Sequence, residues 1–115
     1  NAASAAHCAN DQKMFWQYHS TLYNNWDGEG TGWASSDQLH KFASTLGLDM
    51  NKFTECMSQS KWENLVHSSH DDGRTLGVDA TPTFFIIDEN NEVVKIIGAQ
   101  RYDVFQEVFD SLLEK

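Results

Sequence analysis

A chain of 115 residues that is 40% hydrophobic and 12% aromatic is long enough for one packed core, too short for two, and too apolar to be disordered. Seventeen acidic against eight basic residues give a formal net charge of −9. Such a chain is repelled by phosphate backbones and anionic lipid, which excludes nucleic acid as a partner, and no apolar run approaches the ~20 residues that span a bilayer.

The opening residues, Asn1-Ala2-Ala3-Ser4-Ala5-Ala6, have neither the basic start nor the long apolar centre of a signal peptide. They are Ala-rich with no capping residue before them, and read as the interior of a helix that begins upstream. Phe15, Tyr18, Leu22 and Trp26 follow at three- and four-residue steps, which predicts one long amphipathic helix from Ala2 to Trp26 with an aromatic stripe packed in the core. Asp27-Gly28-Glu29-Gly30-Thr31-Gly32 lacks the Lys of a phosphate loop and the spaced oxygen ligands of a calcium loop, and reads as an ordinary connection. A second helix is expected over Asp37–Leu46, capped by Ser35 or Ser36 and ended by Gly47. Asp49 can cap a short third helix carrying Phe53, Cys56 and Met57. A fourth is expected from Lys61 to Leu76, burying Trp62, Leu65 and Val66 and stopped by Gly77.

Beyond Gly77 the period changes. Thr83–Ile87 and Val93–Ile97 are β-rich runs around Asp88-Glu89-Asn90-Asn91-Glu92, which predicts an antiparallel hairpin turning at Asn90-Asn91. The first run is apolar at consecutive positions, so both of its faces are expected to be covered. A last helix, from Asp103 to the C-terminus, carries Val104, Phe105, Val108, Phe109, Leu112 and Leu113 on one broad face. The expected order is therefore four helices, a hairpin and one helix. Two strands alone rarely make a stable sheet. A third should come from residues before Asn1 or from a second copy of the chain; the second alternative is a strand-exchanged homo-oligomer, and a strict monomer in light scattering at high concentration would count against it.

The residues alone leave three readings of Cys8 and Cys56 open: a structural bridge, two buried free thiols, or a redox-active pair. His67 and His70, followed by Asp71-Asp72, have no third ligand fixed by spacing, so no metal is assigned. No hydrolase elbow, zinc-protease motif or dinucleotide fingerprint is present, and no cofactor is implied.

The most informative stretch is Gly77-Val78-Asp79-Ala80-Thr81-Pro82-Thr83-Phe84-Phe85-Ile86-Ile87. It resembles the G-V-x-x-T-P-T-F-F-I signature of DsbA-like thiol–disulfide oxidoreductases of the thioredoxin superfamily. Cys8-Ala9, Gln12, Phe15-Trp16 and His19 resemble the start of that family's helical insertion, and Leu46-Gly47-Leu48-Asp49 with Phe53 and Cys56 a later part of it. The hairpin, Gly98 and last helix resemble the C-terminal half of its fold.

The resemblance implies an α+β, thioredoxin-like architecture: a DsbA-type helical insertion over residues 1–76, then the C-terminal β-β-α half of a thioredoxin fold over 77–115. It implies a cis bond before Pro82, and Thr81 and Pro82 as the wall that binds extended segments of substrate proteins. It implies a non-catalytic bridge between Cys8 and Cys56, a redox partner protein, and an extracytoplasmic parent (periplasmic, secreted or membrane-anchored). One departure matters: the family's chemistry needs a Cys-x-x-Cys opening a helix, and this sequence has none. The expectation is thus part of a protein disulfide oxidoreductase that contributes substrate binding but no nucleophile and is inactive alone. The other reading is a non-catalytic thioredoxin-like module that binds peptides or a partner.

Overall fold

The computed structural model describes residues 1–114. The elements are α1 (Ala2–Asn10), α2 (Phe15–Asn24), α3 (Ser36–Thr45), α4 (Met50–Ser58), α5 (Glu63–Thr75), β1 (Thr83–Ile87), β2 (Val93–Ile97) and α6 (Tyr102–Leu113). Six helices and one antiparallel two-stranded sheet, among the described residues, make this an α+β chain. It forms two compact units, Asn1–His70 and a second beginning at Asp71.

In the first unit the core draws on α1 to α4. Ala5, Cys8, Ala9, Tyr18, Leu39, Ala43 and Phe53 are buried in one cluster. The small residues of α1 let its neighbours approach closely, and the bulk is supplied by Tyr18 and Phe53, whose ring centroids lie 5.9 Å apart. The Tyr18 hydroxyl is not stranded there, because it donates to the Leu39 carbonyl at 2.8 Å. The expected caps are in place: Ser35 accepts from the Gln38 N–H at 3.4 Å and Asp49 from the Lys52 N–H at 3.1 Å.

The single helix expected over Ala2–Trp26 is two. The Met14 N–H donates to the Ala9 carbonyl and the Lys13 N–H to that of Asn10, a Schellman ending with Lys13 in the left-handed region at φ 61°. Five helices, not four, therefore precede the hairpin. Trp26 lies beyond the end of α2 and is 62% exposed, not part of a core stripe. In α5 no residue is buried, and Leu65, expected inside, is exposed.

In the second unit β1 and β2 pair in the register Thr83 with Ile97, Phe85 with Lys95 and Ile87 with Val93. The turn is held by the Asp88 carboxylate, which accepts from the N–H groups of Asn90 and Glu92 at 2.9 and 2.8 Å. Asn91 takes the left-handed conformation, with φ 65°. Phe84 meets Phe105 of α6 edge-on at 5.0 Å, which gives that face of the sheet a helical neighbour. The other face carries Phe85, Ile87, Val93 and Ile97, all exposed. Among the described residues of this unit that face is open, so the covering expected of it would have to come from outside the unit. The last helix ends at Leu113 with Glu114 as its C-cap; the part of the expected run that falls on Lys115 lies outside the described residues.

Candidate functional site

Two places hold the residues singled out by the sequence, one in each unit.

In the second unit, α5 ends at a left-handed Gly77, whose carbonyl accepts from Lys95 Nζ at 2.9 Å. The chain then passes through Val78–Ala80 to Thr81 and Pro82, immediately before β1. The Thr81–Pro82 peptide bond is cis. Its surroundings are fixed by two short hydrogen bonds: the Thr83 hydroxyl donates to the Ala80 carbonyl at 2.6 Å, and the Gly98 N–H donates to the Pro82 carbonyl at 2.7 Å. Thr81 and Pro82 are both exposed. Among the described residues no backbone hydrogen bond engages the N–H or C=O of Thr81. An exposed backbone donor and acceptor beside a strand end can take up an extended peptide.

In the first unit, Cys8 of α1 and Cys56 of α4 are joined by a disulfide with Cα atoms 5.9 Å apart. Both residues are buried. A cleft of about 410 Å³ opens beside them, lined by Asp11, Gln12, Lys52, Glu55, Gln59 and Lys61 as well as the two cysteines. Asp11 Oδ2 lies 3.7 Å from Cys56 Sγ and accepts from Lys61 Nζ at 2.9 Å and from the Trp62 indole N–H at 3.0 Å. Burial pushes the Asp11 carboxyl up, but the hydrogen bonds from Lys61 and Trp62 and the positive charges of Lys61 and His7 together outweigh it, so its pKa is held below the ordinary value. Gln12 ties the end of α1 to the start of α4. Its amide donates to the Asp49 carbonyl at 3.1 Å and accepts from the Asp49 N–H at 2.8 Å.

Asp11, Gln12, Lys61 and Trp62 were not legible as a cluster. Asp11 and Lys61 are 50 positions apart, and nothing in local pattern pairs a carboxylate with a particular distant lysine. His67 sits 3.6 Å from Glu63 on an exposed turn of α5. No group of three metal-ligating side chains converges among the described residues.

Comparison with known proteins adds an independent line. Over 85 residues the chain is 29% identical to a protein of Salinispora tropica named Na(+)/H(+) antiporter NhaA 3, and 31% identical to one of Salinispora arenicola named Na(+)/H(+) antiporter NhaA 1. The matches cover 74% of this chain, which spans only 12% of the length of these curated relatives. No solved structure matches the chain. The family model of the DSBA-like thioredoxin domain matches residues 1–110. With that match running through nearly all of the sequence, the chain belongs to the DSBA-like thioredoxin domains, a family of thiol–disulfide oxidoreductases.

Proposed function

We propose that this chain is part of an enzyme that introduces or exchanges disulfides in extracytoplasmic proteins, with Thr81 and Pro82 as the wall that binds substrate. The observation that carries the reading is the exposed Thr81, whose backbone N–H and C=O are both unengaged at the start of β1. An extended substrate segment would add there as a short strand. In this reading residues 1–76 are the helical insertion of the family and residues 77–115 the C-terminal β-β-α half of its thioredoxin fold. The reaction needs a thiolate that attacks a disulfide and a second thiol that resolves the mixed disulfide. The chain's only two cysteines are already joined to each other, so the nucleophile would come from outside this chain, and reoxidation from a redox partner protein.

Cys8 and Cys56 are assigned a structural role. The carboxylate of Asp11 faces the Cys56 sulfur, and a negative charge there disfavours the thiolate that exchange requires. Disulfides of this kind persist outside the reducing cytosol, which fits an extracytoplasmic parent. The same pair of bridged cysteines favours a second reading, a non-catalytic thioredoxin-like module that binds peptides or a partner. Sodium–proton exchange, named in the matched relatives, is not carried over, because the chain spans 12% of them.

Titration of the isotope-labelled chain with an extended peptide whose cysteine is blocked tests the binding wall. Amide shifts concentrated at Ala80–Thr83 are expected; shifts confined to the first unit would overturn it. In an insulin-reduction assay the chain is expected to give no acceleration. Activity would make Cys8 and Cys56 the redox pair instead. Sequencing the reading frame upstream of Asn1 separates the two readings. A Cys-x-x-Cys that follows a strand and opens a helix supports the enzyme, and its absence supports the binding module.

A further inference from the structure

We propose that the cleft walled by Tyr23, Trp26 and Trp33 is a binding site for a quaternary ammonium group. The cleft has a volume of about 300 Å³ and is lined by Leu22 and these three aromatic residues. Leu22 is buried and forms its floor, while Tyr23 is 73% and Trp26 62% exposed. None of the ring contacts among the described residues joins two of the three walls, and the Tyr23 ring lies 4.7 Å from that of His19, so the three walls are not packed on one another.

The backbone fixes this spacing. The last turn of α2 is closed by the Asn25 side chain, which donates to the Thr21 carbonyl at 2.7 Å, and the Trp26 N–H donates to the Tyr23 carbonyl at 3.4 Å. The Gly-rich loop then reverses the chain. The Thr31 hydroxyl donates to the Gly28 carbonyl at 3.2 Å and the Ser35 N–H to the Gly32 carbonyl at 3.1 Å. Trp33 is thereby returned to the side of Trp26, seven positions earlier in sequence.

Charge and chemistry identify the occupant. A cation over an aromatic face is attracted by the ring quadrupole, most strongly for Trp, and a cage of aromatics selects alkylated ammonium groups. From residue 14 to residue 40 the sequence has no Lys or Arg, while Asp27, Glu29 and Asp37 are acidic. The cations that lie over aromatic rings among the described residues are Lys61 on Trp62 and Lys95 on Phe85, so no internal ammonium occupies the three walls. The lining side chains include no carboxylate to form an ion pair with a primary amine, which leaves the aromatic faces as the attraction and favours an alkylated ammonium. Asp27, Asn24, Asn25 and Gln38 line an adjoining cleft that shares Trp26 and Trp33, and they can take the polar remainder of the ligand.

The test uses the whole oxidised chain and choline chloride at constant ionic strength, read from the indole N–H signals of Trp26 and Trp33. A saturable shift of both is expected. Trp26→Ala is expected to weaken binding about tenfold or more, with the far-UV spectrum unchanged because Trp26 is exposed. The neutral isostere 3,3-dimethyl-1-butanol is expected to bind at least about tenfold more weakly than choline. Equal binding of the neutral alcohol, no saturable shift, or full affinity in Trp26→Ala would overturn the proposal, as would saturable binding of methyl glucoside in place of choline. Sedimentation with phosphatidylcholine vesicles distinguishes the sources. Capture on vesicles assigns the site to a lipid headgroup, and binding of free choline without capture assigns it to a dissolved ligand.

Discussion

Asp11 joins three parts of the first unit through one oxygen: Lys61 and Trp62 donate to it, and Cys56 lies beside it. Because its folded pKa lies below the ordinary 3.8, the fold holds the carboxylate more tightly than the acid. The stability this contributes is therefore present above about pH 4 and lost as the pH falls through the lowered pKa. Lys61 and Asp11 are both partly in water, so screening reduces the charge component and the hydrogen bonds carry most of the effect. Asp11→Asn is expected to lower stability by about 1 kcal/mol at pH 7, with a smaller penalty at pH 3. Urea unfolding of both proteins at the two pH values measures this, and an equal penalty at both would remove the charge from the account. Tyr18 shows the other kind of buried polar group. Burial pushes its phenol up, and its single hydroxyl is matched by the Leu39 carbonyl, so it can sit in the core uncharged. Its apolar spacing was readable from the sequence, but its hydrogen-bond partner, 21 positions away, was not.

The helices show which signals are written locally. Gly47 and Gly77 end α3 and α5 in the left-handed conformation, as their type and position foretold. The ends of α1 and α4 use the same backbone pattern with Lys13 and Ser60 in the left-handed position, and neither residue type announces it. That is why α1 and α2 read as one helix: the apolar spacing runs on through a break that carries no glycine. An L-residue in that conformation costs roughly 1–2 kcal/mol that glycine avoids. Lys13→Gly is accordingly expected to stabilise the chain by up to about 1 kcal/mol, after the added freedom of the unfolded glycine is subtracted. A rise in the urea midpoint with unchanged slope would verify it, and destabilisation would mean that the Lys13 side chain contributes more than its backbone costs. Capping, by contrast, was legible at Ser35 and Asp49, where residue type and position agree.

At the scale of the whole molecule, the core that length and composition foretold lies in the first unit, with Cys8–Cys56 closing a loop across a separation of 48 residues. Chain entropy assigns such a closure about 4 kcal/mol, in a model-dependent way. Cys8→Ser is expected to lower the melting temperature by about 10 °C or more, and an unchanged value in oxidised protein would remove the structural role of the bridge. The hairpin and α6 foretold by period were found in the second unit, but its burial was not: the run Phe84–Ile87 is apolar at every position, whereas Phe85, Ile87, Val93 and Ile97 remain exposed. A pattern of apolar residues specifies that a face is to be covered, and only the surrounding chain decides whether it is. The sequence by itself determined the class of elements, their caps and glycine stops, and the Thr81-Pro82-Thr83 stretch that carries the family resemblance, because these depend on residue type and near spacing. Tertiary structure alone decided the pairing of Asp11 with Lys61 and Trp62, the break at Lys13, and the cleft that brings Trp33 to Trp26. Those depend on where distant backbone segments meet, and no local rule encodes it.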